Sequence, residues 1–466
     1  MAIGRVMTDK PALIQPDKGQ PATPIHLIDK PGLEAFVKTL SGPQRAALAA
    51  QKFAAEGYAH AIIPDGDSWF VVSGVADCEQ LSSWCMAKLA EVLPAGTYRR
   101  AGGDPGAALF GWVSGQYRFD RYRSEPGSEG PRILLTAQVK AIDPALAEAA
   151  AVALVRDLVN TPAEDMGPAQ LEAQAAVLAK TFKAELKVTS GDVLEREFPM
   201  VHAVGRAAAR SHSPRMIELT WGDPKHPRVA LVGKGVCFDS GGLDIKPAAG
   251  MMWMKKDMGG AAHALALARL VMQRHLKVRL HLLIPAVENA IAGNAFRPGD
   301  ILRSRAGISV EIGNTDAEGR LVLGDALTRA GEEKPDLIID FATLTGAARV
   351  ALGPDLPALM TRADATAEAL VKAGLEADDP CWRLPLHSGY REYLKSDIAD
   401  INNSSSNGFA GASVAGLFLD RFVPEGTDWA HFDTFAWRPA AKPGRPKGGD
   451  ALGLRAAWGM LRARYG

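Results

Sequence analysis

The segment NTDAEGRL, residues 314–321, places two acids and an arginine close together. Asp316 and Glu318 are two positions apart, so an extended segment or a tight turn would point both carboxylates to one side of the backbone. Arg320 continues the same spacing. The ordinary alternative is that the acids begin a helix and complement its dipole, with the arginine on the surface. The segment alone leaves both interpretations open.

Two other segments carry polar residues among glycines, residues 233–260 and the stretch ATLTGA at 342–347. The first holds Lys234, Asp239, Lys246 and Asp257. Both segments follow apolar runs that are typical of buried strands. In open α/β sheets, ligands bind in the crevice outside the carboxyl ends of the strands. We therefore expect these two segments and NTDAEGRL to meet at one edge of a sheet.

Common catalytic motifs do not account for these residues. A phosphate loop would need Ser or Thr after Lys234, where the chain has Gly235, and a glycine at the position of Arg228. Neither the serine hydrolase motif GxSxG nor the zinc protease motif HExxH occurs. His263 and His275 lie on or near a predicted helix, where we expect structural roles.

The remaining acids form a candidate metal site: Asp239, Asp257, Asp316 and Glu318. Four carboxylates packed together cannot all stay ionised unless cations lie among them; otherwise their pKa values must rise. Such oxygen-rich clusters suit two divalent ions about 3.5 to 4 Å apart, which activate a water and polarise a substrate oxygen. The residues thus favour a two-metal hydrolase, with amide and phosphoester substrates both open.

Composition limits the functional classes. The chain has 466 residues, of which 47% are hydrophobic and 23% charged, as in ordinary globular proteins of two or three domains. Lys plus Arg and Asp plus Glu both number 53, so the formal charge is zero. This balance argues against attraction of the whole chain to nucleic acid or to an anionic membrane.

Cysteines and the N-terminus suggest a cytoplasmic protein. The four cysteines, Cys78, Cys85, Cys237 and Cys381, lack the spacing of a zinc site or a disulfide framework. Charges and prolines interrupt the first residues, so we expect no signal peptide, and no later stretch is long enough and apolar enough to span a bilayer.

The order of predicted elements indicates two α/β domains. Asp65-Gly66-Asp67 lies between two apolar runs and predicts a hairpin, which a helix over 79–92 follows. Beyond residue 165, strands and helices alternate, and the apolar runs VALVG, LHLLIPAV and LIIDFA predict a mostly parallel sheet flanked by helices. The predicted parts are a flexible arm (1–25), a smaller N-terminal α/β domain (26–142), a connecting helix (143–160) and a catalytic domain (161–466).

Four motifs in this order and spacing resemble the leucyl aminopeptidase (cytosol aminopeptidase) family: VGKGVCFDSGGLDIKP, MKKDMGG, NTDAEGRL and ATLTGA. The resemblance covers most of residues 155–440, including NTPAEDM, KSDIADINN and WAHFD. The N-terminal part resembles the family only loosely, chiefly through YRFDRY. The family resemblance therefore rests mainly on the second predicted domain.

The resemblance implies two divalent metal ions, commonly zinc, manganese or magnesium, with these ligands: Lys234, Asp239, Asp257, Asp316 and Glu318. A lysine binds a metal only as the neutral amine, so the cation must depress its pKa. The resemblance also implies that Lys246 and Arg320 are catalytic. Lys246 would stabilise the oxyanion that develops on the attacked carbonyl, and Arg320 would hold a bicarbonate that shuttles the proton.

The resemblance further implies how substrates bind. The free α-amino group of a short peptide would bind one metal, and its scissile carbonyl would approach the other. The first residue would lie near Met254, Asn314, Thr343, Leu344 and Gly346, for which plain packing is the alternative. Asp244 stands where some members have Ser, and its carboxylate could tune Lys246 or favour basic N-terminal residues.

The family is usually a homohexamer whose active sites face an enclosed cavity, which favours short peptides over folded proteins. Two other functions are weighed against an aminopeptidase. One is a two-metal phosphoesterase, and the other is DNA binding or scaffolding, which the zero net charge and the absence of a basic run disfavour.

Overall fold

A computed structural model describes residues 12–125, 127, 130–405 and 407–466. The chain divides into two compact units, Met1–Ala153 with Ala440–Lys447 and Leu154–Pro439 with Gly448–Gly466. The boundary falls within helix α5 (Val139–Asn160), which starts earlier than the connecting helix predicted over 143–160. Residues 440–447, which we placed in the catalytic domain, belong to the first unit.

A six-stranded sheet forms the centre of the first unit. Its strands are β1 (Ile14–Pro16), β2 (Thr23–Ile28), β3 (His60–Asp65), β4 (Ser68–Gly74), β5 (Gly96–Arg100) and β6 (Arg132–Thr136). Its helices are α1 (Leu33–Thr39), α2 (Gly42–Ala50), α3 (Ala87–Val92) and α4 (Ala108–Ser114). The strand order is β1-β6-β5-β2-β4-β3, and each neighbouring pair is parallel except β3 and β4, which form the predicted hairpin.

Strands β1 and β2 correct the prediction of an arm over 1–25. Residues 1–11 lie outside the described residues, but Ile14 and Ile25 are buried in the sheet. Arg99 donates one hydrogen bond of 2.8 Å to Asp17 Oδ1 and another of 2.8 Å to the Gln20 carbonyl. The polar, proline-rich composition predicted a flexible arm. That prediction failed because composition does not reveal partners that are distant in the sequence.

The helix predicted over 79–92 is shorter, since α3 begins only at Ala87. The Asp77 carboxylate accepts hydrogen bonds from the backbone of Glu79 (2.7 Å) and Gln80 (3.2 Å), an arrangement that competes with helix formation. Trp84 is buried with its ring 5.2 Å from that of Phe110, as expected for a core residue.

The described residues of the second unit form fourteen strands in three sheets. They are β7 (Glu185–Ser190), β8 (Arg215–Trp221), β9 (Arg228–Gly233), β10 (Gly235–Asp239), β11 (Arg279–Asn289), β12 (Ile301–Arg303), β13 (Ser309–Glu311), β14 (Leu337–Ala342), β15 (Ala358–Thr361), β16 (Trp382–Arg383), β17 (Ile401–Asn402), β18 (Asp428–Asp433), β19 (Trp437–Arg438) and β20 (Gly448–Gly449). The last two strands form a small antiparallel pair.

The helices of the second unit are α6 (Pro168–Phe182), α7 (Gly191–Glu197), α8 (Pro199–Gly205), α9 (Ala248–Met251), α10 (Gly259–Gln273), α11 (Glu318–Glu332), α12 (Gly346–Leu352), α13 (Asp364–Glu376), α14 (Gly411–Asp420) and α15 (Leu454–Tyr465). Short 3₁₀ helices span Ala163–Asp165, Arg210–His212, Met254–Met258 and Ser388–Leu394. Among the described residues, no helix combines the length and the apolar character needed to cross a membrane.

The main sheet of this unit has the order β16-β15-β18-β14-β9-β11-β8-β7, and β10 pairs with β11. It is mostly parallel, as predicted, with antiparallel pairs at β15–β18, β11–β8 and β8–β7. Strands β9, β14 and β18 are parallel neighbours at its centre. Their carboxyl ends therefore open at the same edge, where Gly233, Ala342 and Asp433 end the three strands.

Contrary to our expectation, NTDAEGRL does not follow a strand of the main sheet. It follows β13, which belongs to a separate three-stranded sheet with β12 and β17. The short apolar run 308–312 predicts a strand but carries no information about which sheet the strand joins. Helix α11 then packs Leu321 and Leu327 into the large core of the second unit.

Candidate active site

Lys234 follows β9 and is buried at the edge of the main sheet. Its backbone N–H donates to the Phe341 carbonyl at 3.0 Å, which ties the turn to β14. Its Nζ lies 2.7 Å from Asp257 Oδ2 and 2.9 Å from Glu318 Oε1, and it donates to the Thr343 carbonyl at 3.2 Å. Burial favours the neutral amine, but the two carboxylates outweigh it and raise the pKa of Lys234.

Asp257 lies in the 3₁₀ helix Met254–Met258, in the segment that connects β10 to α10. Its second oxygen, Oδ1, accepts a 2.7 Å hydrogen bond from Thr343 Oγ1 and lies 3.6 Å from Lys256 Nζ. Burial alone would raise the pKa of Asp257, but the ammonium groups of Lys234 and Lys256 hold it below its usual value. Asp257 is therefore an ionised carboxylate shared between two lysines.

Lys246 joins the two halves of the site. Its Nζ lies 2.8 Å from Asp239 Oδ2 and also pairs with Asp316 Oδ1. Burial opposes its charge, yet Asp239 and Glu318 raise its pKa, so the ammonium form is favoured. On the other side of Asp239, Asn289 Nδ2 donates to Oδ1 at 2.8 Å, because Asp239 and Asn289 are register partners in β10 and β11.

Asp239, Asp316 and Glu318 form a carboxylate cluster whose oxygens lie within 4.8 Å of one another. Burial and the charge of Asp239 raise the pKa of Glu318 to about 8 and that of Asp316 to about 6. The Oε2 atom of Glu318 is buried and has no hydrogen-bond partner among the described residues. Mutually repelling carboxylates with an unpaired oxygen are the donor set that a divalent cation would satisfy.

NTDAEGRL is held in place by Asn403, which follows β17. The Asn403 side chain accepts from the backbone N–H of Gly313 at 2.9 Å and donates to the Asn314 carbonyl at 2.7 Å. Glu318 begins α11, so the helix-start interpretation is correct for this acid, whereas Arg320 lines the cavity. The next residue is Gly319, where a Cβ would lie 2.6 Å from Lys234 Nζ and would push the amine from its position.

Arg320 lines the same cavity from the first turn of α11. Its Nη1 donates to the Asn403 carbonyl at 2.8 Å, and its Nε is buried with no hydrogen-bond partner in the described part of the chain. Burial lowers the pKa of Arg320 to about 10, although Glu318 and Asp433 oppose that shift. The guanidinium therefore retains a donor for an anion.

These side chains surround a cavity of about 540 Å³. Four of the five proposed ligands line it, and the fifth, Glu318, contacts the lining residue Lys234. Lys246, Arg320 and all five predicted substrate residues line it as well, the latter being Met254, Asn314, Thr343, Leu344 and Gly346. The residues singled out in the sequence thus come together at one place.

Reasoning from residue types in the sequence missed three residues that support the site. Asp433 accepts hydrogen bonds from the backbone of Leu344 (3.0 Å) and Thr345 (3.2 Å) and from Thr345 Oγ1 (2.6 Å), which shapes the ATLTGA turn. Asn289 and Asn403 also orient the acidic loops through side-chain hydrogen bonds, to Asp239 and to the Gly313 backbone respectively. Asn403 and Asp433 lie in the quoted segments KSDIADINN and WAHFD, which were the available signal, whereas Asn289 had none.

Asp244 braces the loops, a different role from those we predicted. Its carboxylate accepts a 2.7 Å hydrogen bond from the Thr315 backbone, and its own N–H donates to Thr315 Oγ1 at 2.9 Å. It does not appear among the described residues that line the cavity. Tuning of Lys246 by Asp244, or selection of basic substrates, therefore has no support in the geometry.

His263 has the structural role we expected. Its Nδ1 faces the Gly259 carbonyl at 2.7 Å, and its Nε2 accepts from the Leu452 N–H at 3.0 Å. Both ring nitrogens are thus used, and the ring stacks on Phe341. Burial lowers the pKa of His263 to about 4, so the ring is neutral.

Comparison with known proteins matches both parts of the chain to one family. The sequence model described as the catalytic domain of the cytosol aminopeptidase family matches residues 153–457. The chain belongs to the cytosol aminopeptidase family. The model described as the M17 aminopeptidase N-terminal domain matches residues 23–134. Membership makes the chain a metal-dependent hydrolase that acts as an exopeptidase.

Individual members of the family match nearly the whole chain. A Roseiflexus castenholzii protein named "Probable cytosol aminopeptidase" is 39% identical over 435 residues, which cover 90% of this chain and 88% of the relative. The crystal structure of a cytosol aminopeptidase from Coxiella burnetii superposes with a TM-score of 0.92 at 47% identity, over 97% of this chain and 100% of that chain. The bottromycin maturation enzyme BotP in complex with Mn has a TM-score of 0.85 at 33% identity, over 97% and 100% of the two chains.

Proposed function

We propose that this cytosol aminopeptidase removes the N-terminal residue from short peptides with two divalent metal ions held by Lys234, Asp239, Asp257, Asp316 and Glu318. The observation that carries this proposal is the convergence of buried acids in which the Glu318 Oε2 atom has no partner among the described residues. Carboxylates that repel one another and leave an oxygen unpaired are costly to bury, and bound cations reduce that cost.

The donor set fits hard divalent cations. Carboxylate oxygens suit manganese, magnesium and zinc, and the Mn complex of BotP shows that a protein of the same fold binds manganese. Lys234 would have to release a proton before serving as a ligand, because an ammonium nitrogen has no free lone pair. Nearby cations depress the pKa of an amine and so favour this release.

Bound metal ions would supply an acidified water and polarise the scissile carbonyl. Lys246 would donate a hydrogen bond to the carbonyl oxygen as negative charge develops there, since its raised pKa keeps it an ammonium ion. Asp239, held by Asn289, would keep Lys246 in position.

Arg320 would hold a bicarbonate ion, which would accept the proton of the attacking water. Support comes from Arg320, which lines the cavity and whose buried Nε atom has no hydrogen-bond partner among the described residues. Its Nη1 is already fixed by Asn403, so the guanidinium is oriented before an anion arrives. Bidentate binding to guanidinium is well suited to a planar oxyanion.

The peptide's first residue would lie against Met254, Asn314, Thr343, Leu344 and Gly346. A free α-amino group would be required, because this group would bind one of the metal ions. From the family resemblance we also propose a cytoplasmic homohexamer, which sedimentation velocity would test. We expect no binding to DNA, which a gel shift at low salt would test.

The test is hydrolysis of leucine p-nitroanilide with chelator, then with added Mn²⁺ or Zn²⁺. We expect chelator to abolish turnover, added metal to restore it, and N-acetylated leucine anilide to stay intact. Cleavage of a phosphodiester with no cleavage of the anilide would instead favour a phosphoesterase.

Replacing Arg320 with Ala tests the bicarbonate. We expect the wild-type rate to rise when bicarbonate is added to a carbonate-free buffer, and the R320A rate to be low and insensitive to it. Normal turnover of R320A in carbonate-free buffer would remove Arg320 from the mechanism.

A further inference from the structure

One wall of the active-site cavity is cationic and aromatic. Lys256 Nζ lies 5.3 Å from the centre of the Phe435 ring, and Arg349 Cζ lies 4.7 Å from the same ring. All three residues line the cavity that Met254 and Thr343 also line. We refer to Lys256, Phe435 and Arg349 as the cationic wall.

The positive charge of this wall is poorly compensated. Among the described residues, Asp257 is the one acid within ion-pair distance of Lys256, at 3.6 Å. That carboxylate lies closer to Lys234, at 2.7 Å, and is a proposed metal ligand. Lys256 is only 6% exposed, so water cannot fully replace a counter-ion.

Asp433, which also lines the cavity, forms no ion pair with the wall in the described part of the chain. Both oxygens of Asp433 are occupied by hydrogen bonds from Leu344 and Thr345. Arg349 forms no ion pair in the described part of the chain, and it is exposed at the cavity rim on α12. A ligand carboxylate in this part of the cavity would therefore meet two cations whose nearest acid, Asp257, lies closer to Lys234.

We propose that the cationic wall binds the side-chain carboxylate of an acidic first residue, so that the enzyme favours peptides beginning with Glu over those beginning with Gln. This proposal rests on the proposed function, because it places the first residue beside Met254 and Thr343. The ammonium group of Lys256 lies 3.6 Å from Oδ1 of the proposed ligand Asp257, beside the proposed metal site.

Glutamine is the matched competitor for glutamate, because the two side chains differ in charge but hardly in shape. A hydrogen bond to a charged partner in a partly buried site contributes more than a neutral one. We expect kcat/KM for Glu to exceed that for Gln by about tenfold, the factor that a difference of about 1.4 kcal/mol produces.

The experiment compares three dipeptide amides, Glu-Leu-NH₂, Gln-Leu-NH₂ and Leu-Leu-NH₂, by chromatography of the products in excess Mn²⁺. The amide removes the C-terminal carboxylate, which would otherwise compete for the wall. In Lys256→Met we expect the Glu to Gln ratio of kcat/KM to fall about tenfold. In Arg349→Met a smaller fall is expected, since Arg349 is exposed and its charge is screened.

Lys255→Met is the matched control. Lys255 Nζ donates to the Asn160 carbonyl at 2.7 Å and lies over Trp437, and Lys255 does not appear among the described lining residues. We expect this variant to keep the wild-type ratio, although it loses the same charge one residue away. An equal fall in both lysine variants would show a general charge effect and would overturn the proposal.

A second measurement uses only the wild-type enzyme. Free glutamate should inhibit hydrolysis of Leu-Leu-NH₂ more strongly than free glutamine. Equal inhibition by the two, or an unchanged ratio in folded, metal-loaded Lys256→Met, overturns the cationic wall. Failure of the wild type to hydrolyse Leu-Leu-NH₂ with metal would instead overturn the proposed function.

Discussion

Glu318 is both the first residue of a helix and a proposed metal ligand. It is the first residue of α11, where a negative charge is favoured by the helix dipole. Burial and Asp239 nevertheless raise its pKa to about 8, and one of its oxygens has no partner among the described residues. A buried carboxylate with a raised pKa and an unpaired oxygen is the strongest sign that a metal ion binds at Glu318.

Replacing Glu318 with Gln should remove metal binding while keeping the side-chain shape. Changes to residues that merely support metal ligands typically cost about 10- to 100-fold in affinity, so loss of a ligand should cost at least about 100-fold. Metal content after dialysis against Mn²⁺ measures this effect. Glu332→Gln, a more exposed position on the same helix, is the control. Equal metal content in the two variants would exclude Glu318 as a ligand.

The buried pair of His431 and Asp340 predicts a pH dependence of stability. The two residues are cross-strand neighbours in β18 and β14, and their side chains lie 2.6 Å apart. Burial would lower the pKa of His431, but Asp340 outweighs it and raises the pKa above 6.5. The stabilisation is therefore fully present below pH 6.5 and is lost as pH rises through the raised folded-state pKa.

Calorimetry of the chelator-treated protein across this pH range tests the His431 prediction. The wild type should lose melting temperature with rising pH, relative to a His431→Leu, Asp340→Leu double variant. The double variant removes both buried charges, so neither is left unpaired. Parallel pH profiles for the two proteins would contradict the assignment.

At the scale of elements, α11 links the site to the core. Its N-terminus supplies Glu318 and Arg320, its apolar face packs into the main core, and Asp325 reaches the start of α8. Asp325 Oδ2 accepts from the backbone N–H groups of Met200 (2.8 Å) and Val201 (3.3 Å). One helix thus caps another through a buried carboxylate.

Asp325→Ala should destabilise the second unit by about 2–3 kcal/mol, because buried backbone donors lose their acceptor. Asp325→Asn should not rescue it, since Oδ1 also accepts from the Arg305 N–H and an amide would face a donor. Urea unfolding of chelator-treated protein measures the change. The control is Asp364→Ala, at the exposed start of α13. Comparable losses in the two alanine variants would argue against a special cap.

At the scale of the whole molecule, each unit is built on its own sheet, and the cavity belongs to the second unit. The cavity lies where the parallel strands β9, β14 and β18 end, beside a loop from a separate small sheet. Loops that are remote in the chain are held together partly by pairs such as Lys246 with Asp239 and Asp316. Ligands that bind between such loops should stabilise the fold.

Added Mn²⁺ should therefore raise the melting temperature of the chelator-treated protein. A ligand at 100 times its Kd adds about 2.7 kcal/mol to the free energy of unfolding, provided that it binds only the native state. Differential scanning calorimetry should show a concentration-dependent shift in the wild type and a smaller shift in Glu318→Gln. Identical shifts in both proteins would mean that Mn²⁺ binds elsewhere.

The sequence by itself determined the local elements and the candidate acids. Apolar runs and helical periodicity predicted β9, β11, β14 and α11, because these signals are set by neighbours in the chain. The family motifs then predicted Lys234 as a ligand, which chemical reasoning from residue types had not done. Local patterns failed where distant partners decide the outcome, as at β1, which Ile14 and Asp17 help to anchor.

Only the tertiary structure decided how the site is held together. It placed NTDAEGRL beside Lys234 from a separate sheet, made Asn403 its support and gave Asp244 a bracing role. It also put Lys256 on the cavity wall, where the sequence showed one more lysine before an acid. These contacts join residues that are far apart in the chain, so their hydrogen bonds and charges depend on packing that local periodicity does not encode.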